Sequence, residues 1–348
     1  MSKSKYACIN AKTLAMSARR LHDHDFSELI KASDLKEVFH YLRDHTYYAD
    51  FIKMLDPENL HRSVLEVRLN YLKVQEIDKL LYYLSGTDKS FIKVYLVRFE
   101  VESLRILIRG IARKEALESL SDMMVYSKNH SKVPFDRLLR VKDWDEFKKL
   151  LVNTDYYRIL EIHKELKTEA ELVMIEKKLD RYYYDLLRNR LFKLDKKSNH
   201  DLIEAQQRHF DLLNLVWMYR GKKFYNLSRE EILAYSLRGG LKLNEQRLGD
   251  LAGAKNVDEM KEQLADSEYA FLFNHTKTID LYMERRQERY LYYLYKRLFS
   301  AGGGSLAQVV AYIRLLDFEV EDITSIIESK RYRMDETETK KYLIRSID

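Results

Sequence analysis

Phe99-Glu100-Val101-Glu102-Ser103-Leu104 returns as Phe210-Asp211-Leu212-Leu213-Asn214-Leu215 and again as Phe318-Glu319-Val320-Glu321-Asp322-Ile323. The separations are 111 and 108 residues. A second anchor lies upstream in each stretch: Leu35-Lys36-Glu37-Val38, Trp144-Asp145-Glu146-Phe147 and Val257-Asp258-Glu259-Met260. Each copy follows Asp34, Asp143 or Asn256 and carries a Glu three positions after that residue. This is capping-box spacing, in which a cap side chain and a Glu satisfy each other's free backbone N–H groups at a helix start. Farther on, Leu42 and Tyr47 match Leu151 and Tyr156, then Leu264 and Tyr269. Near-constant periods at independent anchors mark a repeat architecture. The chain therefore reads as three tandem similar helical-bundle units: 1–130, 131–240 and 241–348.

Composition points to the same class. Among 348 residues there are only 2 Pro and 10 Gly, too few turn-formers for the closely spaced strands of a sandwich or barrel. Hydrophobic residues make up 46% and charged residues 33%, a mixture suited to all-α bundles with polar outer faces. Ile175, Leu179, Tyr182, Leu186 and Leu194 fall on one helical stripe, and Tyr290, Leu291, Leu294, Tyr295 and Leu298 give its counterpart in the third unit. Pro134 precedes the second unit's first cap, and Gly239-Gly240 separates the second unit from the third. Gly302 to Gly304, then Ser305 with Gln308 three later, predict a loop feeding a newly capped helix.

Several function classes fall away. Cys8 is the only cysteine, so a disulfide framework and a multi-cysteine zinc site are excluded. The N-terminal stretch with Lys3, Lys5 and Lys12 has no apolar core, so no signal peptide is expected. The longest charge-free stretch, 298–313, contains three glycines and falls short of the roughly 20 apolar residues that a spanning helix needs. The net charge of +6 is spread as +3, +5 and −2 over the three units, which is no dense basic stripe for nucleic acid.

Candidate chemistry is thin. Gly86-Thr87-Asp88-Lys89-Ser90 lacks the upstream glycine of a phosphate loop and reads as a turn between helices. His22-Asp23-His24-Asp25 could offer metal ligands, but no partner segment is apparent in the sequence, so a polar loop or helix end is the expectation. No Ser or Cys has an identifiable base nearby in sequence, and the chain predicts no catalytic, cofactor or metal site. Most of the 26 tyrosines sit at helical core spacing. The acids Glu100, Asp211 and Glu319 recur three times, which predicts a fold-internal role such as pairing with an Arg of the same unit. Arg220-Gly221-Lys222-Lys223 and Arg285-Arg286 are basic clusters, read first as solvated helix ends and second as contacts for a protein partner.

Tyr6, then Asn10-Ala11-Lys12-Thr13-Leu14-Ala15-Met16-Ser17-Ala18-Arg19-Arg20-Leu21, resembles the opening of the central-stalk component of V-type/A-type ATPases, called the C subunit in prokaryotes and the d subunit in eukaryotes. Tyr95-Leu96-Val97-Arg98-Phe99-Glu100-Val101-Glu102-Ser103-Leu104 is similar to that family's Tyr-Leu-Leu-Arg-Tyr-Asp-x-Glu-Asn-Leu signature. The likeness continues through Arg220-Gly221 and from Ala311-Tyr312-Ile313 to Glu319-Val320, covering essentially the whole chain. Ser103 stands where the family usually has Asn, and Arg208-His209-Phe210-Asp211 lacks the preceding Tyr-Leu-Leu. The resemblance implies a funnel of three helical bundles with pseudo-threefold arrangement. It implies a non-catalytic rotor adaptor between the central shaft, made of the D and F subunits, and the membrane rotor ring. Such an adaptor lies peripherally on the cytoplasmic face and passes the torque that couples ATP hydrolysis or synthesis to proton or sodium transport. Arg220, Lys222 and Lys223 are the residues expected to meet acidic groups of the shaft. The alternatives are a helical-repeat scaffold for proteins or RNA, and an enzyme resting on the His22–Asp25 run alone.

Overall fold

The computed structural model describes residues 5–166, 168–274, 279–302 and 304–347; Lys3 and Gly303, named above, lie outside them. Every regular element among the described residues is helical. Helices α1 (Ala7–Ser17) and α2 (Asp23–Lys31) lead to α3 (Leu35–His45), the single turn α4 (Ala49–Ile52), α5 (Arg62–Leu81), α6 (Gly86–Ile92), α7 (Val94–Ala112) and a 3-10 stretch, Leu117–Met123. Then come α8 (Phe135–Leu138), α9 (Trp144–Leu150), α10 (Asp155–Leu160), α11 (Glu169–Leu191), α12 (His200–Phe224) and α13 (Arg229–Tyr235). The chain continues with α14 (Glu245–Gly253), α15 (Val257–Glu262), a 3-10 turn at Ala270–Phe273, α16 (Ile279–Ser300), α17 (Ala307–Arg331) and α18 (Glu336–Tyr342).

The three anticipated helix starts are α3, α9 and α15. In each, the cap carboxylate or amide oxygen accepts from the N–H of the Glu three positions on: Asp34 from Glu37, Asp143 from Glu146 and Asn256 from Glu259, each at 2.9 Å. The Glu reaches one residue farther back than a capping box requires. It accepts from the N–H of Ser33, Lys142 or Lys255, at 2.6, 2.9 and 2.7 Å. Extended backbone at each cap, φ near −150°, brings the preceding N–H round to face the helix mouth. The tyrosine register changes in the first copy. The hydroxyls of Thr46, Thr154 and Ser267 bond the carbonyls of Leu42, Leu151 and Leu264, and the buried tyrosine two residues on is Tyr48, Tyr156 or Tyr269. Tyr48, not Tyr47, is thus the counterpart, because the first copy inserts one residue after its leucine.

Contacts group the chain into two compact bodies, 32–194 and 1–31 with 195–348. In the first, α7 runs antiparallel to α11, tied by Arg105 to Asp180 and by Nε and Nη2 of Arg109 to Glu176 at 2.6 and 2.8 Å. The buried stripe of α11 is Ile175, Leu179, Tyr183, Leu187 and Leu191, one position on from Tyr182 and Leu186 beyond the second turn. These buried residues recur every four positions along one side of α11, while the Tyr182 hydroxyl bonds Asp155 at 2.9 Å.

In the second body, α16 runs antiparallel to α12, through Gln206–Tyr295 and Arg220–Glu284, and antiparallel to α17, through Tyr292–Phe318 and Arg285–Ser325. Helices α12 and α17 are therefore parallel, and their C-terminal ends lie at the same end of this three-helix core. α1 and α2 belong to this body too. Asn10 donates to the Ser305 carbonyl at 3.4 Å, Arg20 to the Leu315 carbonyl at 2.8 Å, and Lys330 to the Ile30 carbonyl. Ser305 does not cap α17 in the anticipated way: the helix opens at Ala307, whose N–H the Ser305 hydroxyl accepts at 3.1 Å, and Asn199 accepts the N–H of Leu306 at 3.0 Å.

Helices α7, α12 and α17 stop alike. Lys114, Asn226 and Arg333 are the only non-glycine residues with positive φ among the described residues, at 58°, 47° and 52°. Each lies just past its helix, in the left-handed turn that returns the chain and satisfies the last carbonyls.

Candidate partner-binding site

The recurring acids prove to be structural, with partners other than those anticipated. Glu100 accepts from the Tyr156 hydroxyl at 2.8 Å. Burial pushes the Glu100 carboxyl up, against the pull of hydrogen bonds from Ser131 and Tyr156. Asp211 accepts from the N–H groups of Leu241, Lys242 and Leu243 at 3.0, 2.8 and 3.2 Å and from Tyr269 at 2.7 Å. Glu319 does pair with an arginine, but it is Arg20, 299 residues away, at 3.0 Å. The other two acids take a phenol from the stretch that follows. A neutral O–H can bind a buried carboxylate without bringing a second charge out of water, which is the costlier arrangement.

Sequence reasoning missed the position three residues farther along. Ser103 exchanges hydrogen bonds with the N–H and carbonyl of Val125 at 3.1 and 2.9 Å; Asn214 does the same with Leu237 at 2.7 and 2.8 Å. Asp322 accepts from the N–H of Ile344 at 2.6 Å and from the Arg345 guanidinium at 2.9 Å. In all three copies this side chain pins the segment that returns after the closing helix. Ser replaces the longer Asn or Asp without loss of the job.

The basic cluster at the end of α12 divides by role. Arg220 pairs with Glu284 on α16 at 2.7 Å, both half-exposed. Lys222 donates to the carbonyls of Ala252 and Ala254 at 2.7 and 2.6 Å, closing the C-terminus of α14, and its desolvation pulls its pKa down. Lys223 is exposed; its ammonium donates to the Tyr219 hydroxyl at 3.0 Å and stacks over the Tyr219 and Phe224 rings. Beside it Phe224 and Tyr225 are 54% and 68% exposed and form the apolar part of the patch, which sequence reasoning did not single out. The second cluster faces inward: Arg285 binds Glu288 at 3.0 Å and Arg286 the Leu272 carbonyl at 3.0 Å.

The remaining candidates resolve as local structure. Gly86 opens α6 with φ 56°, and Asp25 accepts the His22 N–H at 2.7 Å where α2 begins. Among the described residues no group of three or more His, Cys, Asp or Glu is placed to hold a metal ion, and no helix is long and apolar enough to cross a membrane. An open groove of about 600 Å³ near the Asp211 latch is lined by residues of both signs, including Lys242, Arg247, Asp250 and Glu268.

Comparison with known proteins matches residues 9–342 to the family described as ATP synthase (C/AC39) subunit. The C subunit of the A-type ATP synthase of Methanocaldococcus jannaschii is 24% identical over 350 residues, covering 97% of this chain and 86% of the relative. That of Methanosarcina acetivorans is 24% identical over 342 residues, covering 98% and 93%. That of Haloquadratum walsbyi is 23% identical over 353 residues, covering 98% of each.

Proposed function

Because the chain belongs to the ATP synthase (C/AC39) subunit family, we propose that it is a non-catalytic adaptor in the rotor of a V/A-type ATPase. It joins the central shaft, made of the D and F subunits, to the membrane rotor ring on the cytoplasmic face, and passes torque that couples ATP hydrolysis or synthesis to proton or sodium transport. The observation that carries this is the family match over 9–342, in a chain whose three recurrent carboxylates are all spent on the fold. The recurring caps, acid partners and left-handed helix ends further support three tandem similar units. Within the basic cluster, Arg220 and Lys223 are offered to the shaft from the surface, with Lys222 holding α14 behind them.

Size-exclusion co-elution with the purified D–F pair, and separately with the detergent-solubilised ring, tests the adaptor. A one-to-one complex with both establishes the bridge; binding to neither, by protein shown helical by circular dichroism, rejects it. Charge reversal at Arg220 and Lys223 is expected to weaken shaft binding and flatten its salt dependence. Unchanged affinity and salt response remove these residues from the interface.

A further inference from the structure

We propose that Tyr225 and Tyr332, flanked by Lys223, Arg331 and Arg333, form one docking ridge for a carboxylate-bearing helical surface of the shaft. The partner's identity rests on the adaptor reading; the ridge rests on geometry within a single body. Tyr225 and Tyr332 each immediately precede a left-handed residue, Asn226 and Arg333, at the ends of α12 and α17. Those helices are parallel, so both tyrosines leave the same end of the core.

Both rings stand in solvent, 68% and 62% exposed. The turns beneath them are fixed. The Leu227 N–H bonds the Gly221 carbonyl at 3.0 Å, and the Met334 N–H bonds the Ser329 carbonyl at 3.0 Å. Glycine is the ordinary residue for such a turn, since it alone adopts positive φ freely. At Arg333 the chain keeps a long cationic side chain there despite the backbone cost. Attraction to the helix C-terminus accounts for a cation at this place. It does not account for two exposed tyrosines at matching positions.

Cations sit against exposed rings at both turns: Lys223 over Phe224 at 5.6 Å and Arg331 over Tyr332 at 5.4 Å. Tyr and Arg are the residues that most often anchor protein interfaces, and a ring stacked under a cation offers an apolar face and a positive edge together. The partner that fits presents carboxylates between apolar side chains. An anionic lipid surface fits less well: a continuous sheet of negative charge cannot avoid Glu230, Glu231, Glu336 and Glu338 in the first turns of α13 and α18, whereas a helix can set its carboxylates beside the cations alone.

The test is titration calorimetry of the full chain with the purified D–F pair. It compares the natural protein, the double variant Tyr225→Ser/Tyr332→Ser, and Tyr82→Ser, which alters a still more exposed tyrosine of the other body. The ridge predicts at least about tenfold weaker binding for the double variant and no change for Tyr82→Ser. If the natural protein binds and the double variant binds equally, the ridge is wrong and the adaptor stands. If the natural protein binds neither shaft nor ring, both fall. Tyrosine-dependent binding to vesicles containing phosphatidylglycerol, with shaft affinity unchanged, replaces the protein partner by a membrane.

Discussion

Gly240 offers the sharpest test of the Asp211 latch. A Cβ built at this position lies 1.8 Å from Asp211 Oδ1, 2.9 Å from its Cγ and 3.2 Å from the Leu243 carbonyl. The carboxylate must move, yet it accepts four hydrogen bonds, from Leu241, Lys242, Leu243 and Tyr269. A hydrogen bond to a charged group contributes about 1.5–3 kcal/mol, so losing two of the four costs about 3–6 kcal/mol. Alanine returns about 0.4–1 kcal/mol by restricting the unfolded chain. Gly240→Ala should therefore destabilise this region by about 2–5 kcal/mol. A chain of two bodies need not unfold in one transition, so the measurement is amide hydrogen exchange at Leu241, Lys242 and Leu243, alongside urea unfolding. Protection of those amides should fall by about tenfold for each 1.4 kcal/mol. The same substitution in an Asp211→Ala background should cost much less, since only the 3.2 Å approach to the Leu243 carbonyl remains. A loss under about 1 kcal/mol, or an equal loss in both backgrounds, refutes the argument.

Tyr156→Phe removes one donor from half-buried Glu100 and should cost about 1–3 kcal/mol in chemical unfolding of the 32–194 body. Should that variant match the natural protein, the phenol is a bystander. Arg20→Ala strips the cation from fully buried Glu319 and should cost about 3–5 kcal/mol, with earlier proteolytic release of α1 and α2; unaltered protease resistance would falsify the clamp. Glu288 is raised from 4.5 to about 8, chiefly by burial and then by repulsion from Glu321. The unfolded chain gives up this proton first, so stability falls as pH rises from about 4.5 to about 8 and levels off above. Melting temperatures of Glu288→Gln should slope less across that window, and parallel slopes for the two proteins would exclude Glu288 as the cause.

What could be read from sequence was local. A cap and a Glu three residues on determine a helix start among themselves, and α3, α9 and α15 begin where that spacing places them. The all-helical class followed from two prolines and ten glycines. Partners of the repeated acids were not legible, because Tyr156, Tyr269 and Arg20 lie 56, 58 and 299 residues from Glu100, Asp211 and Glu319. Nor did sequence show where α7, α12 and α17 stop: a Lys, an Asn and an Arg occupy turns that glycine normally marks. Exposure of Tyr225 and Tyr332 was hidden for a related reason. Helical periodicity tells which face points inward, and both tyrosines stand where the helix, and its periodicity, ends.

Residues 1–31 complete a body otherwise made of 195–348. On the ribosome this arrangement sets a schedule. α1 and α2 are made before the residues that secure them, Leu315, Glu319 and Lys330. At about 5–20 residues per second, the 299 residues between Arg20 and Glu319 take tens of seconds to translate. Meanwhile residues 32–194 are available to fold as a unit behind them. The amphipathic α2, with Phe26, Leu29 and Ile30 destined for full burial, waits through that interval with its apolar face uncovered. Helices of 11 and 9 residues are marginal in water on their own, so α1 and α2 gain lasting structure only when α17 arrives to cover them.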